Sequence, residues 1–290
     1  GLWSAIRTSD ARDDRFGVEH TGRRGVNIAQ TETAIGATPF SSDLVSNGAE
    51  HVTGLFAERT WHFENVTPQV GIRADSARAT NSGSTRSHKD LNIQARVNWR
   101  LSQDWTLDWE VGTAYRLPTL SELYFSGKTP RGEVRGNPEL APEKTAGLQA
   151  TLLREGLTTS FEVTAFSNRV EDYIERFEIT DELSSYRNIV SGELWGLDGQ
   201  LIWRHRAFTQ RVSWQWQRGT SASGATLADL PPPSLRYNGT WASSRYSLGL
   251  DVRYQTPQDT VGPGENPLNS ALIVSASALW KFSEQWRSEI

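Results

Sequence analysis

The chain alternates apolar and polar residues with a period of two, and it does so repeatedly. In LNIQARVNWRL, Leu91, Ile93, Ala95, Val97, Trp99 and Leu101 fall on one face and Asn92, Gln94, Arg96, Asn98 and Arg100 on the other. WTLDWEVGTAY repeats the pattern, with Trp105, Leu107, Trp109, Val111 and Tyr115 set against Asp108 and Glu110. Further copies run through Val212, Trp214 and Trp216, through Tyr246 to Tyr254, and through Leu272 to Phe282. Side chains alternate across a strand, so each stretch predicts a strand with one apolar and one polar face. Their length, roughly 9–11 residues, suits a tilted strand crossing a bilayer core and exceeds the ordinary globular strand of about 5–6. No segment shows a convincing helical period.

Alternation alone fits a soluble sandwich as well as a membrane barrel, and the connections separate the two. Short links fall at Phe63-Glu64-Asn65, Ser102-Gln103-Asp104, Arg154-Glu155-Gly156, His205-Arg206, Ala242-Ser243-Ser244 and Ser283-Glu284-Gln285. Long ones are expected at 22–48, 76–88, 116–143, 170–190, 219–232 and 256–269. Strict alternation of short and long is the habit of outer-membrane barrels. Aromatic residues cluster beside the short links: Trp61 and Phe63, Trp99 and Trp105, Trp203 and Phe208, Trp241 and Tyr246, Trp280 and Trp286. All would lie at one height, as a girdle at the headgroup level.

Composition narrows the function. With 37% hydrophobic and 22% charged residues among 290, the chain is neither disordered nor a bundle of apolar helices. A net charge of −4 speaks against nucleic acid as the main partner. Absence of Cys removes disulfides, thiolate metal sites and Cys nucleophiles together. Absence of Met and of a signal peptide suggests an internal piece of a longer protein. The chain contains no G-x-S-x-G, H-E-x-x-H or P-loop, and its five His residues lack the spacing of a metal site, so neither catalytic nor metal-ligating residues are assigned and no cofactor is expected.

The most conspicuous stretch joins YRLPTLSELY, from Tyr115, to GNPELAPEKT, ending at Thr145. This pair resembles the signature of TonB-dependent outer-membrane receptors. GLFAERTWHFENVTPQVGIRAD (54–75), YRNIVSGELWGLDGQL (186–201) and LADLPPPSLRYNGTW (227–241) resemble the same family, in the family's order. The resemblance implies an all-β fold, a transmembrane antiparallel up-and-down β-barrel present in incomplete form, about fourteen of twenty-two strands. Residues 1–290 would be part of the barrel domain, with the plug domain and last strand absent. It further implies a bacterial outer-membrane receptor that imports a ferric siderophore with energy from TonB. TonB would act through the missing plug, and the wall would meet outer-membrane lipid and lipopolysaccharide. Haem, cobalamin or oligosaccharide are the alternative ligands, and a passive porin or a soluble all-β binding protein the alternative classes.

Within the signature, Pro118 and Pro142 cannot donate to a ladder and belong at strand ends. Gly136-Asn137-Pro138 is turn chemistry. Glu122 and Glu143 are expected to tie loop N–H groups or Arg116 to the rim, which makes the motif a structural anchor. Candidate ligand contacts lie elsewhere. Tyr124, Lys128, Arg131 and Arg135 form a basic–aromatic set in the loop, suited to a catecholate or other anion. Arg73, Arg236 and Arg253 are expected inside the barrel toward the long-loop end, where guanidinium groups offer planar, multi-donor hydrogen bonding. Pairing of these arginines with wall carboxylates is the competing expectation. Haem receptors of this family usually carry a His in the signature loop; 116–143 contains none, and His88 stands at a loop base.

Overall fold

The computed structural model describes residues 1–32, 40–129, 132–262, 265–282 and 287–289. Strands run in chain order as β1 (Leu2–Ser9), β2 (Arg12–Glu32), β3 (Phe40–Trp61), β4 (Val66–Asn81), β5 (Ser84–Arg100) and β6 (Trp105–Arg116). The signature loop holds a short helix α1 (Leu120–Tyr124), then β7 (Ser126–Thr129) and β8 (Gly132–Arg135). There follow β9 (Glu143–Glu155), β10 (Thr159–Thr180), β11 (Leu183–His205) and β12 (Phe208–Ser221). The last are β13 (Ser234–Ala242), β14 (Tyr246–Gln255), β15 (Ala271–Lys281) and β16 (Arg287–Glu289).

Among the described residues, hydrogen bonding links β1 through β6 in sequence, then β9 through β16, with β7 and β8 off this path. That is fourteen consecutive wall strands, and the path does not return from β16 to β1. The fold is therefore the all-β, unclosed antiparallel sheet expected from the alternation. Short links appear at 62–65, 101–104, 156–158, 206–207 and 243–245, within two residues of their expected places. The link expected at Ser283-Glu284-Gln285, with Trp286, lies outside the described residues.

The long loops need correction. Residues 76–88 and 170–190 are not loops: β4 and β5 run on to a two-residue turn at Ser82-Gly83, and β10 and β11 to a turn at Asp181-Glu182. Much of 22–48 is likewise strand. β10 and β11 reach 22 and 23 residues, twice the expected length. Beyond the apolar belt neither face of a strand meets lipid, so the period-two signal fades while the backbone ladder continues. At the first of these tips Ser82 and Gly83 both have positive φ, 47° and 87°, the pairing that a two-residue hairpin turn demands.

Contacts divide the chain into two compact units. The first comprises Gly1–Arg96, Val111–Gly147 and Arg169–Gly192. Its register stacks Phe16 against Ala57 and Ala57 against Ile72, and above them Val18, Leu55 and Ala74. These side chains share the outward face and stay exposed, Leu55 to 57%. The opposite face carries Glu19, Phe56, Glu58, Arg73 and Asp75. Buried apolar residues collect at the long-loop end, where Leu123, Leu140 and Ile174 pack with Ala79, Tyr124 and Tyr186.

The second unit comprises Val97–Glu110, Leu148–Asn168 and Glu193–Ile290. Leu235, Tyr237 and Trp241 of β13 stand opposite Tyr254, Val252 and Leu248 of β14 on its exposed apolar face. Near the short links Tyr246 stacks on Trp280 at 5.9 Å, Trp280 meets Phe282 at 4.1 Å, and Trp105 meets Phe161 edge-on at 6.3 Å. Aromatic rings exposed at strand ends, on a face with no protein against it, are the arrangement of a bilayer interface. No described helix is long and apolar enough to cross a membrane, which says nothing of strands.

Candidate functional site

The signature loop is assembled around one guanidinium. β6 ends at Arg116, and Pro118 prevents the ladder from continuing. Thr119 then caps α1: its hydroxyl accepts from Glu122 N–H at 3.1 Å, and the Glu122 carboxylate accepts from Thr119 N–H at 2.7 Å. This Thr-x-x-Glu capping box was written in the sequence, although the helix is too short to show a period. Arg116 donates to Glu122 at 2.9 Å and, through two nitrogens, to Glu143 at 2.6 and 2.8 Å. Glu143, itself buried, accepts a further hydrogen bond from Ile174 N–H at 2.8 Å. Both glutamates thus do what the sequence suggested, binding loop N–H groups and Arg116 together.

The second half of the signature closes onto the first. Gly136 N–H donates to the Phe125 carbonyl and Asn137 N–H to the Glu122 carbonyl, at 2.6 and 2.8 Å. A Cβ at Gly136 would lie 2.7 Å from Tyr124 N, so only glycine permits this approach. Asn188 of β11 holds the Ala141 carbonyl and N–H, at 3.0 and 2.9 Å. One contact had no signal in the sequence: β8 pairs in parallel with β11, Leu183 to Glu133 through Ser185 to Arg135.

This platform presents two of the four expected loop residues together. Lys128 and Arg135 share one face of the β7–β8 hairpin with Glu133, which lies 3.7 Å from Arg135. Tyr124 instead packs on the buried Leu123, Leu140 and Ile174, and its hydroxyl is buried without a hydrogen-bond partner. Arg131 lies outside the described residues.

Arg73 stands on the inward face of the first unit, beside a cavity of about 560 Å³ lined also by Glu19, Asp75, Gln94 and Tyr115. It donates to both Asp75 oxygens at 2.9 Å and to Glu19 at 2.8 Å. Asp75 is only 6% exposed, so the guanidinium is what makes its charge tolerable there. One cation between two carboxylates leaves this cluster with net charge −1. Asp75 was legible as the same-face neighbour two residues on; Glu19, 54 residues away, required the strand register. Tyr115 departs from the sequence reading: strict alternation groups it with the outward Trp109 and Val111, but it lies 5.8 Å from His88 and shares the Arg73 cavity. His88 is held by Asp90 at 3.1 Å.

In the second unit Arg236 and Arg253 are direct cross-strand partners, and Asp251 accepts from Arg236 at 2.8 Å and from Asn238 at 3.3 Å. Arg211 of β12, opposite Asn238, adds a third guanidinium to this face and was not singled out from the sequence. Three arginines against Asp251 make the inward face of β12–β14 cationic. Among the described residues no group of three or more His, Cys, Asp or Glu could hold a metal ion.

Residues 3–288 match the protein family described as TonB dependent receptor-like, beta-barrel. Among curated proteins, hemoglobin-haptoglobin utilization protein B of Neisseria meningitidis serogroup A is 24% identical over 198 residues, 65% of this chain and 22% of that protein. Its serogroup C counterpart is 27% identical over 200 residues, again 65% and 22%. Among solved structures, the copper transporter OprC superposes with a TM-score of 0.80 at 19% identity, over 98% of this chain and 48% of that one. The siderophore receptor PirA of Acinetobacter baumannii gives 0.69 at 13% identity, over 98% and 48%. The chain therefore spans about a fifth of the curated relatives and about half of the solved structures it matches.

Proposed function

This chain belongs to the TonB-dependent receptor-like β-barrel family, and on that premise we propose that it forms part of the wall of a bacterial outer-membrane receptor importing a ferric siderophore. The observation that carries the choice of ligand is the cationic inward face of β12–β14, where Arg236 faces Arg253 and only Asp251 offsets the charge among the described residues. An anionic ferric chelate presents clustered oxygen acceptors, which planar guanidinium groups meet with paired hydrogen bonds. Within the first unit, Lys128 and Arg135 on the signature loop, with Arg131 between them in sequence and Tyr124 at its start, are further proposed chelate contacts, while Arg73 acts with Glu19 and Asp75 as a wall clamp. No bond is made or broken in this role. Transport uses energy delivered through TonB to a plug domain of the whole receptor, and the exposed apolar belt meets outer-membrane lipid.

A second reading, haem uptake, starts from the two curated relatives named for hemoglobin-haptoglobin utilization. Against it, the signature loop has no His, and His88 already engages Asp90 and Tyr115.

The test is equilibrium binding to the full-length receptor in detergent, with a ferric catecholate chelate and with haem. The siderophore reading expects the chelate to bind and the Arg236→Ala/Arg253→Ala double variant to lose at least tenfold in affinity. Haem binding without chelate binding would replace this reading by the second one. Unchanged chelate affinity in the double variant would remove the arginine pair from the site.

A further inference from the structure

The outward face of the first unit changes character abruptly. Its last apolar row runs across Val18, Leu55 and Ala74, and Leu91 continues the same face on β5. One step toward the long-loop end stand His20, Thr53 and Ser76; one step further stand Gly22, His51 and Arg78. The rings of His20 and His51 stack at 5.6 Å. Arg24 Nε donates to His51 Nε2 at 3.0 Å, and His20 Nδ1 lies 2.9 Å from Thr53 Oγ1. Gly22 makes room for this, since a Cβ there would collide with the His51 ring. Alternation with Leu91 and Ile93 puts Lys89 on the same face.

Level with this surface, the carboxylates of these strands point the other way; the outward Asp14 lies at the short-link end, held by Arg59. Glu19 and Asp75 are taken up by Arg73, Glu50 by Arg23, and Asp90 by His88. Among the described outward residues from Val18 to Arg24, Ala49 to Thr53, Ala74 to Thr80 and Thr85 to Leu91, none is acidic. Three permanent cations and two imidazoles therefore share a surface with nothing of opposite sign. At about 3.4 Å per residue, His20 and Lys89 lie about 7 Å, His51 and Arg78 about 14 Å and Arg24 about 20 Å along the tilted strands beyond the last apolar row, across the depth of lipid headgroups. From β2 to β5 it is about 14 Å wide, three inter-strand spacings, more than one phosphate can bridge.

We propose that this face of β2–β5 binds the two phosphates of a lipopolysaccharide headgroup, with Arg24 and the stacked histidines at one end and Arg78 and Lys89 at the other. The inference rests on the outer-membrane reading above. Arginine and lysine are the side chains suited to phosphate oxygens, and the carboxylate-free surroundings favour a dianionic partner over water. The adjoining apolar rows, Val18, Leu55 and Leu91, would carry the acyl chains.

The experiment compares the full-length receptor with its Arg24→Gln/Arg78→Gln/Lys89→Gln variant in detergent, by native mass spectrometry with three probes. These are bisphosphorylated lipid A, its monophosphorylated form and phosphatidylglycerol. All three substituted side chains are exposed, so the barrel is expected to form, which heat-modifiable gel migration checks separately. The proposal expects the native receptor to retain bisphosphorylated lipid A at least tenfold better than the variant, and better than either other lipid. Equal retention by the variant, or phosphatidylglycerol held as well as lipid A, would overturn it and leave ordinary surrounding lipid. A native receptor that is soluble without detergent and shows no heat-modifiable form would instead sink the membrane reading beneath it.

Discussion

The Glu143 carboxylate receives two hydrogen bonds from Arg116, at 2.6 and 2.8 Å, across a sequence separation of 27. The same carboxylate takes the Ile174 N–H. Three segments distant in sequence, the end of β6, the start of β9 and the outer half of β10, are thereby fastened by one side chain. Glu143→Ala leaves the Ile174 amide without its partner and Arg116 with Glu122 alone. We expect a loss of about 2–3 kcal/mol in local stability, the scale of charged hydrogen bonds. Hydrogen exchange should show the Ile174 amide exchanging at least tenfold faster, with the amides of β13 and β14 unchanged. Unaltered exchange at Ile174 would mean that the loop is held by its apolar contacts instead.

Gly136 presses against the backbone of Leu123 and Tyr124. Gly136→Ala puts a methyl group where a main-chain nitrogen already sits, so the GNP turn must move off α1. Overpacking of this kind costs about 1–3 kcal/mol. Limited proteolysis of the full-length receptor should then cut between Phe125 and Asn137 several times faster than in the native protein. An unchanged cleavage rate would show that the turn yields without strain.

Arg73 neutralises a buried acid. Arg73→Ala strands Asp75 at 6% exposure, and removing one partner of a buried pair costs about 3–5 kcal/mol. The double variant Arg73→Gln/Asp75→Asn keeps the shape and removes both charges, and should lie much nearer the native stability. Chemical unfolding of the receptor in micelles checks this: the single variant should fall well below the double. A single variant as stable as the double would mean that water reaches Asp75.

Neighbouring residues on β5 should respond oppositely to the same change. Ile93 faces outward, and Ile93→Arg brings a charge into the apolar belt at a cost of about 2–4 kcal/mol. Gln94 lines the polar cavity beside Arg73, and Gln94→Arg should cost far less. Unfolding midpoints in lipid vesicles measure both. Equal losses at the two positions would contradict the assignment of faces.

The strand faces, the short links among the described residues, the aromatic strand ends and the anchoring glutamates could all be read along the chain. Each depends on neighbours two to four residues apart, or on a residue type that only one local geometry tolerates, as with Pro118 after β6. Strand length could not be read, because β10 and β11 continue where neither face meets lipid and no apolar–polar alternation marks them. The partners of Arg73, the inward turn of Tyr115, the addition of Arg211 to the Arg236–Arg253 pair and the parallel docking of β8 on β11 all depend on register. Register is set by the whole ladder of pairings, and a slip of one residue exchanges every side chain between faces. Composition revealed which charges the chain carries. Folding sorted them, placing carboxylates with arginines on the inner face of the first unit and leaving Arg24, Arg78 and Lys89 together on the outer one, because only pairing between strands brings such distant positions side by side.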